Sequence, residues 1–190
     1  MAERVTKGLD NAVHALLKGD HELATATILA DHPVNRAMRA IDRLCHAFIA
    51  LHLPSAGHLR YISAVLRLGL GLERIGDYAG TISRETAQLE GEPPRDLTRA
   101  IELLAEQSRG MLKQAVKAFR DQSAELARGT MAIENQIDIT FDKVLADLFG
   151  VLPMIGERAG QAQLDPGIVR LLAHVPALCL GQRHFHAVRM

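Results

Sequence analysis

A chain of 190 residues, 48% of them apolar, can bury a core as one domain or as two small ones. Aromatic residues make up only 4% and Trp is absent, so that core is Leu, Ala, Ile and Val, which suits packed helices and argues against a β-sandwich. Lys plus Arg and Asp plus Glu both number 22, so the basic excess of a nucleic-acid binder is missing.

No stretch reads as a signal peptide, and no apolar run reaches the roughly 18 residues of a membrane span. Leu171–Leu180 is the most apolar tail segment, and His174 and Pro176 interrupt it. Cys45 and Cys179 stand alone and far apart, which fits a reduced, cytoplasmic chain in which each is a small buried hydrophobe.

In chain order, Met1–Lys18 predicts a first helix with Val5, Leu9, Ala12, Val13, Leu16 and Leu17 on one side. Gly19 stops it and Asp20 caps the next. That second helix runs from about His21 to Leu51, and Pro33 kinks it or ends its first part. Pro54–Gly57 is a turn, and a third helix extends to about Leu89. Gly91–Pro94 is the domain boundary. Arg95–Arg120 predicts a fourth helix and Gln122–Phe149 a fifth, with a loop over Leu152–Gln163. Asp165-Pro166 is a start for a sixth helix, with Asp as cap and Pro in the first turn.

The second half repeats the first at an offset of about 103 positions. Leu23-Ala24 pairs with Leu126-Ala127, Ile28 with Met131, Asp31 with Glu134, Asn35 with Asp138 and Met38 with Phe141. An offset kept over several turns argues for duplicated helical units.

The chemistry concentrates in Arg67–Glu85. Leu68, Leu72, Ile75, Ala79 and Ile82 make an apolar face, and Glu73 and Asp77 stack one turn apart on the same side. Two such carboxylates repel unless a cation answers them. Gly69, Gly71, Gly76 and Gly80 weaken the helix interior and point to close approach by another backbone or a ligand. Counted from the turn at Pro54, Asp31 falls level with Asp77 and Asn35 with Glu73. Four oxygen-bearing side chains then sit side by side, a set suited to Mg²⁺, Mn²⁺, iron or zinc. The competing reading is a solvated face on which Arg36, Arg39 and Arg74 neutralise the acids.

The run ERIGDYAGTI, Glu73 to Ile82, resembles the signature of the PhoU family of phosphate-transport regulators, roughly E-R-I-G-D-H/Y-A-x-N-I. Thr81 stands where that family usually has Asn. The Pro-containing turn at Pro54 and the pair Leu59-Arg60 are also similar to the family, and the resemblance covers Val5–Gly150. It implies an all-α chain of tandem three-helix bundles, residues 1–91 and 95–190. The last helix of the second bundle is divergent, because Leu180–Met190 carries Gly181 and Phe185 where Glu73 and Asp77 stand.

The resemblance further implies metal binding through Asp31, Asn35, Glu73 and Asp77. Glu134 and Asp138 are the equivalent acids of the second repeat, facing Cys179, Gln182, His184 and His186. The implied role is a non-enzymatic, cytoplasmic and homodimeric adaptor, peripheral to the membrane at most. Its partners would be the ATPase subunit of the phosphate ABC transporter and the sensor histidine kinase of the phosphate response. No Glu-x-x-His motif, phosphate loop or hydrolytic triad is present to suggest a catalyst. The alternatives are a metal-dependent or metal-storing helical protein and a plain helical scaffold with vestigial acids.

Overall fold

The computed structural model describes residues 1–89 and 95–158, and all their regular structure is α-helical. The helix α1 spans Ala2–Lys18, and its buried Val5, Leu9, Ala12 and Leu16 recur at helical spacing. Gly19 ends it in the left-handed region at φ 62°, where a side chain would be strained. Asp20 then accepts the Leu23 backbone N–H at 2.9 Å and opens α2, His21–Leu29.

The expected second helix is two helices. After α2 ends at Leu29, α3 runs from His32 to His52. Pro33 explains the break, because a proline ring clashes with the carbonyl four residues back, here that of Leu29, and offers it no N–H. The chain turns at Leu53–Ser55 into α4, Ala56–Thr86, a little shorter than the Leu89 end expected. The expected boundary at Gly91–Pro94 lies outside the described residues.

The fourth helix expected from sequence is α5, Arg95–Arg120, with the same bounds. The fifth is α6, Ala124–Arg158, which corrects the loop expected from Leu152. Gly150 and Pro153 lie inside it. Proline removes one helical hydrogen bond, and the long helix runs on through it. The expected sixth helix from Asp165 and the tail Leu171–Met190 lie outside the described residues.

Helix α1 packs against α4, α2 and α5. One core joins Val5, Leu9 and Leu16 of α1 to Leu72, Ile75 and Ile82 of α4 and to Ile101, Ala105 and Leu112 of α5. The other side of α5 presents Leu104 and Met111 to Ile137 of α6. An ion pair at 3.2 Å, Arg109 to Asp10, also ties α5 to α1. The core therefore runs continuously across both sides of residues 90–94.

The offset of 103 reappears in the backbone. Gly19 and Gln122 both have positive φ, 62° and 51°. The N–H groups of Asp20 and Ser123 reach back to the carbonyls of Ala15 and Ala118, each at 2.9 Å. Asp20 and Ser123 cap the N–H groups of Leu23 and Leu126. Thr27 and Thr130 are both buried and both donate to the carbonyl four residues earlier. Val34 and Ile137 are both core. This is one turn-and-helix unit built twice.

The apolar stripe of α3 is less covered than its sequence suggests, for only Val34 is fully buried. Length explains it. At 1.5 Å per residue the 17 residues of α1 reach roughly 25 Å and the 31 of α4 roughly 46 Å. The far half of the α3–α4 hairpin therefore extends past the helix that would cover it. Cys45, expected in a core, is consequently only half-buried.

Candidate functional site

Where α3 begins, it leans on the middle of α4, and the glycines of α4 permit the contact. A Cβ on Gly69 would lie 2.6 Å from Met38 Sδ, and one on Gly76 would lie 3.3 Å from Asp31 Oδ1 and 3.4 Å from Val34 Cγ1. What approaches these two glycines is a set of side chains from α3 and its N-cap Asp31, not a second backbone.

Asp31 is the hinge residue between α2 and α3. Its Oδ2 accepts a hydrogen bond from Asn35 Nδ2 at 2.7 Å. Its Oδ1 is buried against α4 and has no hydrogen-bond partner. A buried carboxylate oxygen left unpaired is costly, and a cation is the usual remedy.

Glu73 and Asp77 lie close enough to Asp31 to feel its charge. Burial first, then the charges of Asp77 and Asp31, push the Glu73 carboxyl above its ordinary range, while Arg39 works against them. Burial and the Asp31 charge also raise Asp77, against the pull of Arg84 and Arg74. The structure thus brings Asp31, Asn35, Glu73 and Asp77 to one place. Among the described residues, however, no three His, Cys, Asp or Glu side chains already converge tightly enough to hold one ion. Asp77 in particular faces solvent. The donor set is all oxygen, the buried oxygen is unpaired, and Gly76 clears the space in front of it. These residues fit a hard cation, provided Glu73 and Asp77 turn toward Asp31.

Two contributors escaped the sequence reading. Thr81 Oγ1 donates to the Asp77 carbonyl at 3.0 Å, and Arg84 donates to that same hydroxyl at 2.8 Å. The spacings 77, 81 and 84 were the available signal, since side chains three and four apart on a helix meet. Thr81 thereby holds a guanidinium beside Asp77.

Residues 1–86, which include this whole site, match the model of the PhoU domain. A PhoU homologue of Aquifex aeolicus, a phosphate-specific transport system accessory protein, is 31% identical over 78% of this chain and 67% of its own. The chain belongs to the PhoU family. An accessory protein homologue of the same name from Pseudomonas putida is 34% identical over 150 residues, 78% of this chain. The chain spans 58% of that relative's length and 62% of the Pseudomonas aeruginosa one. The crystal structure of PhoU from Pseudomonas aeruginosa superposes with a TM-score of 0.86 at 28% identity, covering 98% of this chain and 87% of that one. The Streptococcus pneumoniae phosphate transport system regulatory protein PhoU matches in fold, with a TM-score of 0.83 at 22% identity over 97% of this chain and 84% of that one.

The second pair of expected acids, Glu134 and Asp138, sits on α6. Glu134 is buried and Asp138 half-buried, on either side of the core residue Ile137. Both engage polar or charged neighbours. Cys179, Gln182, His184 and His186, which would complete that site, lie outside the described residues.

Proposed function

We propose that this chain regulates phosphate uptake and phosphate-starvation signalling without catalysing a reaction. It would act in the cytoplasm as a homodimeric adaptor between the ATPase of a phosphate ABC transporter and the sensor histidine kinase. The observation that carries this reading is the span of relatives named as phosphate-specific transport system accessory proteins. They match over 78% of the chain, and the α4 signature lies inside the match. In this reading residues 1–91 and 95–190 are the two repeats of one adaptor.

Metal binding at Asp31, Asn35, Glu73 and Asp77 belongs to the same proposal, with Glu134 and Asp138 as the corresponding residues of the second repeat. The ion would be iron, zinc, manganese or magnesium. The unpaired Asp31 Oδ1 supports the first site. A bound cation would neutralise the three coupled carboxylates and lock the α2–α3 hinge to α4.

A pull-down with the transporter ATPase and the sensor kinase, at high and low phosphate, tests the role. Capture of both, in amounts that depend on phosphate, is the expected result. Capture of neither overturns the adaptor reading. The metal-dependent or metal-storing alternative predicts no phosphate-dependent capture and instead stoichiometric loading of the protein with ion.

A further inference from the structure

The uncovered end of the α3–α4 hairpin carries features that regulator and metal site leave unused. Six of the eleven exposed large apolar residues among the described residues fall between Leu44 and Tyr61. Leu44 is 71% exposed, Leu51 77% and Leu53 87%. Tyr61 is accounted for in part, because its ring stacks on Phe119 of α5 at 5.8 Å and braces the hairpin there. The leucines are left exposed.

Leu53 is out of place on a second count. It sits at φ 41° and ψ 63°, left-handed backbone that favours Gly or Asn and penalises a branched apolar side chain. Folding alone gains nothing from a leucine there, neither burial nor conformational ease.

Charge indicates what the tip meets. Between Asp42 and Glu73 no acidic residue occurs, while Arg43, Arg60 and Arg67 do, together with His46, His52 and His58. Arg43 and Arg60 are exposed, one on each helix of the hairpin. The turn beside it, reached through Phe119, adds Lys117 and Arg120, which flank Asp121 at 3.8 and 3.1 Å. A protruding tip of leucines, ringed by cations, with carboxylates only at its margin in Asp42 and Asp121, each beside a basic side chain, is the pattern of a peripheral membrane contact. No helix among the described residues is long and apolar enough to cross a membrane. The contact is therefore with the surface.

We propose that the α3–α4 tip inserts Leu51, Leu53 and Leu59 into the interface of an anionic bilayer, with Arg43 and Arg60 on the headgroups. The inference does not depend on the phosphate or metal readings.

Co-flotation of the full chain with vesicles tests it. Mixed phosphatidylglycerol–phosphatidylcholine vesicles should carry the protein up, phosphatidylcholine alone should not, and added salt should release it. Leu51→Gln with Leu53→Asn should weaken flotation by about tenfold or more. The melting temperature of that variant should hold or rise, since Asn suits the left-handed backbone. Arg43→Gln with Arg60→Gln should abolish the preference for anionic vesicles. Because the chain has no Trp, Leu51→Trp supplies a single fluorophore that should shift to the blue on those vesicles. Flotation that is absent in the wild type, or equal in the leucine variant, overturns the proposal. So does a tip that instead joins two copies of the chain, seen as a dimer lost in the leucine variant with no vesicle binding in either. An acidic protein partner is the remaining occupant, and its capture without flotation has the same effect.

Discussion

Asp31 Oδ1 is buried 3.3 Å from the point where a Cβ would stand on Gly76. The closeness of this carboxylate to the α4 backbone makes the acids of two helices one electrostatic unit. It depends on two features of different origin. Pro33 breaks the helix so that Asp31 is the N-cap residue of α3, and the glycine of the signature leaves the facing surface bare.

The two contact glycines should answer differently to alanine. At Gly69 the added Cβ meets the sulfur of Met38, near the end of a flexible side chain that can swing away. Gly69→Ala should therefore be neutral or stabilising, by up to about 1 kcal/mol of helix propensity. At Gly76 the Cβ meets a buried carboxylate and Val34, whose β-branched side chain is stiff. Gly76→Ala should be less stable than Gly69→Ala by about 1 kcal/mol. Urea midpoints of the two variants decide it, and the reverse order would show that the α2–α3 hinge moves more easily than α3 itself.

The raised carboxyls predict an unusual acid response in metal-free protein. Glu73 and Asp77 bind their protons more tightly in the folded chain than in the unfolded one. Their contribution to stability is thus fully present below the ordinary carboxylate range and is lost as pH rises through the raised values. Relative to a Glu73→Gln, Asp77→Asn variant, the wild type in chelator should gain stability as pH falls from neutral toward about 4. Denaturation of both proteins across that window measures the difference. A difference that stays constant or runs the other way would mean that the arginines outweigh burial.

Much of this site could be read from sequence because helices rise evenly. Counting from Pro54 set Asp31 opposite 77, and its neighbour across the contact is Gly76. The level is off by only one residue. Periodicity did not show how far a neighbouring helix extends, and Leu44, Phe48 and Leu51, on the apolar stripe of α3, are exposed. Nor did it show Arg84 beside Asp77, which depends on the rotamer that Thr81 holds. The helix through Pro153 was lost for a third reason, since proline lowers helix preference locally but does not decide it against a long flanking helix.

The duplicated turn offers a test within one molecule. Gln122 occupies the left-handed position that Gly19 fills in the first copy, with the same reach-back hydrogen bonds. Gln122→Gly should stabilise the protein by about 1 kcal/mol, and Gly19→Gln should cost a similar amount. Chemical denaturation of the two single variants checks both signs. If Gln122→Gly destabilises, the glutamine side chain contributes more than its backbone costs.

The last prediction separates a cation site from a wet face of repelling acids. Glu73→Gln with Asp77→Asn keeps size and helix shape and removes two charges. If Asp31, Glu73 and Asp77 close on an ion, wild type should melt higher with Mn²⁺, Fe²⁺ or Zn²⁺ than with chelator. A ligand present at about a hundred times its dissociation constant stabilises the state that binds it by roughly 2.7 kcal/mol. The double variant should lose both the response and the metal found by elemental analysis. Asp31→Asn should do the same, because it removes the charge of the carboxylate in this group whose oxygen is buried without a partner. In chelator the double variant should instead equal or slightly exceed wild type, by a few tenths of a kcal/mol, since like charges four apart on a helix repel. Wild type that melts identically with chelator and with each ion would leave these acids as neighbours that tolerate one another. The orphaned oxygen of Asp31 would then need another partner.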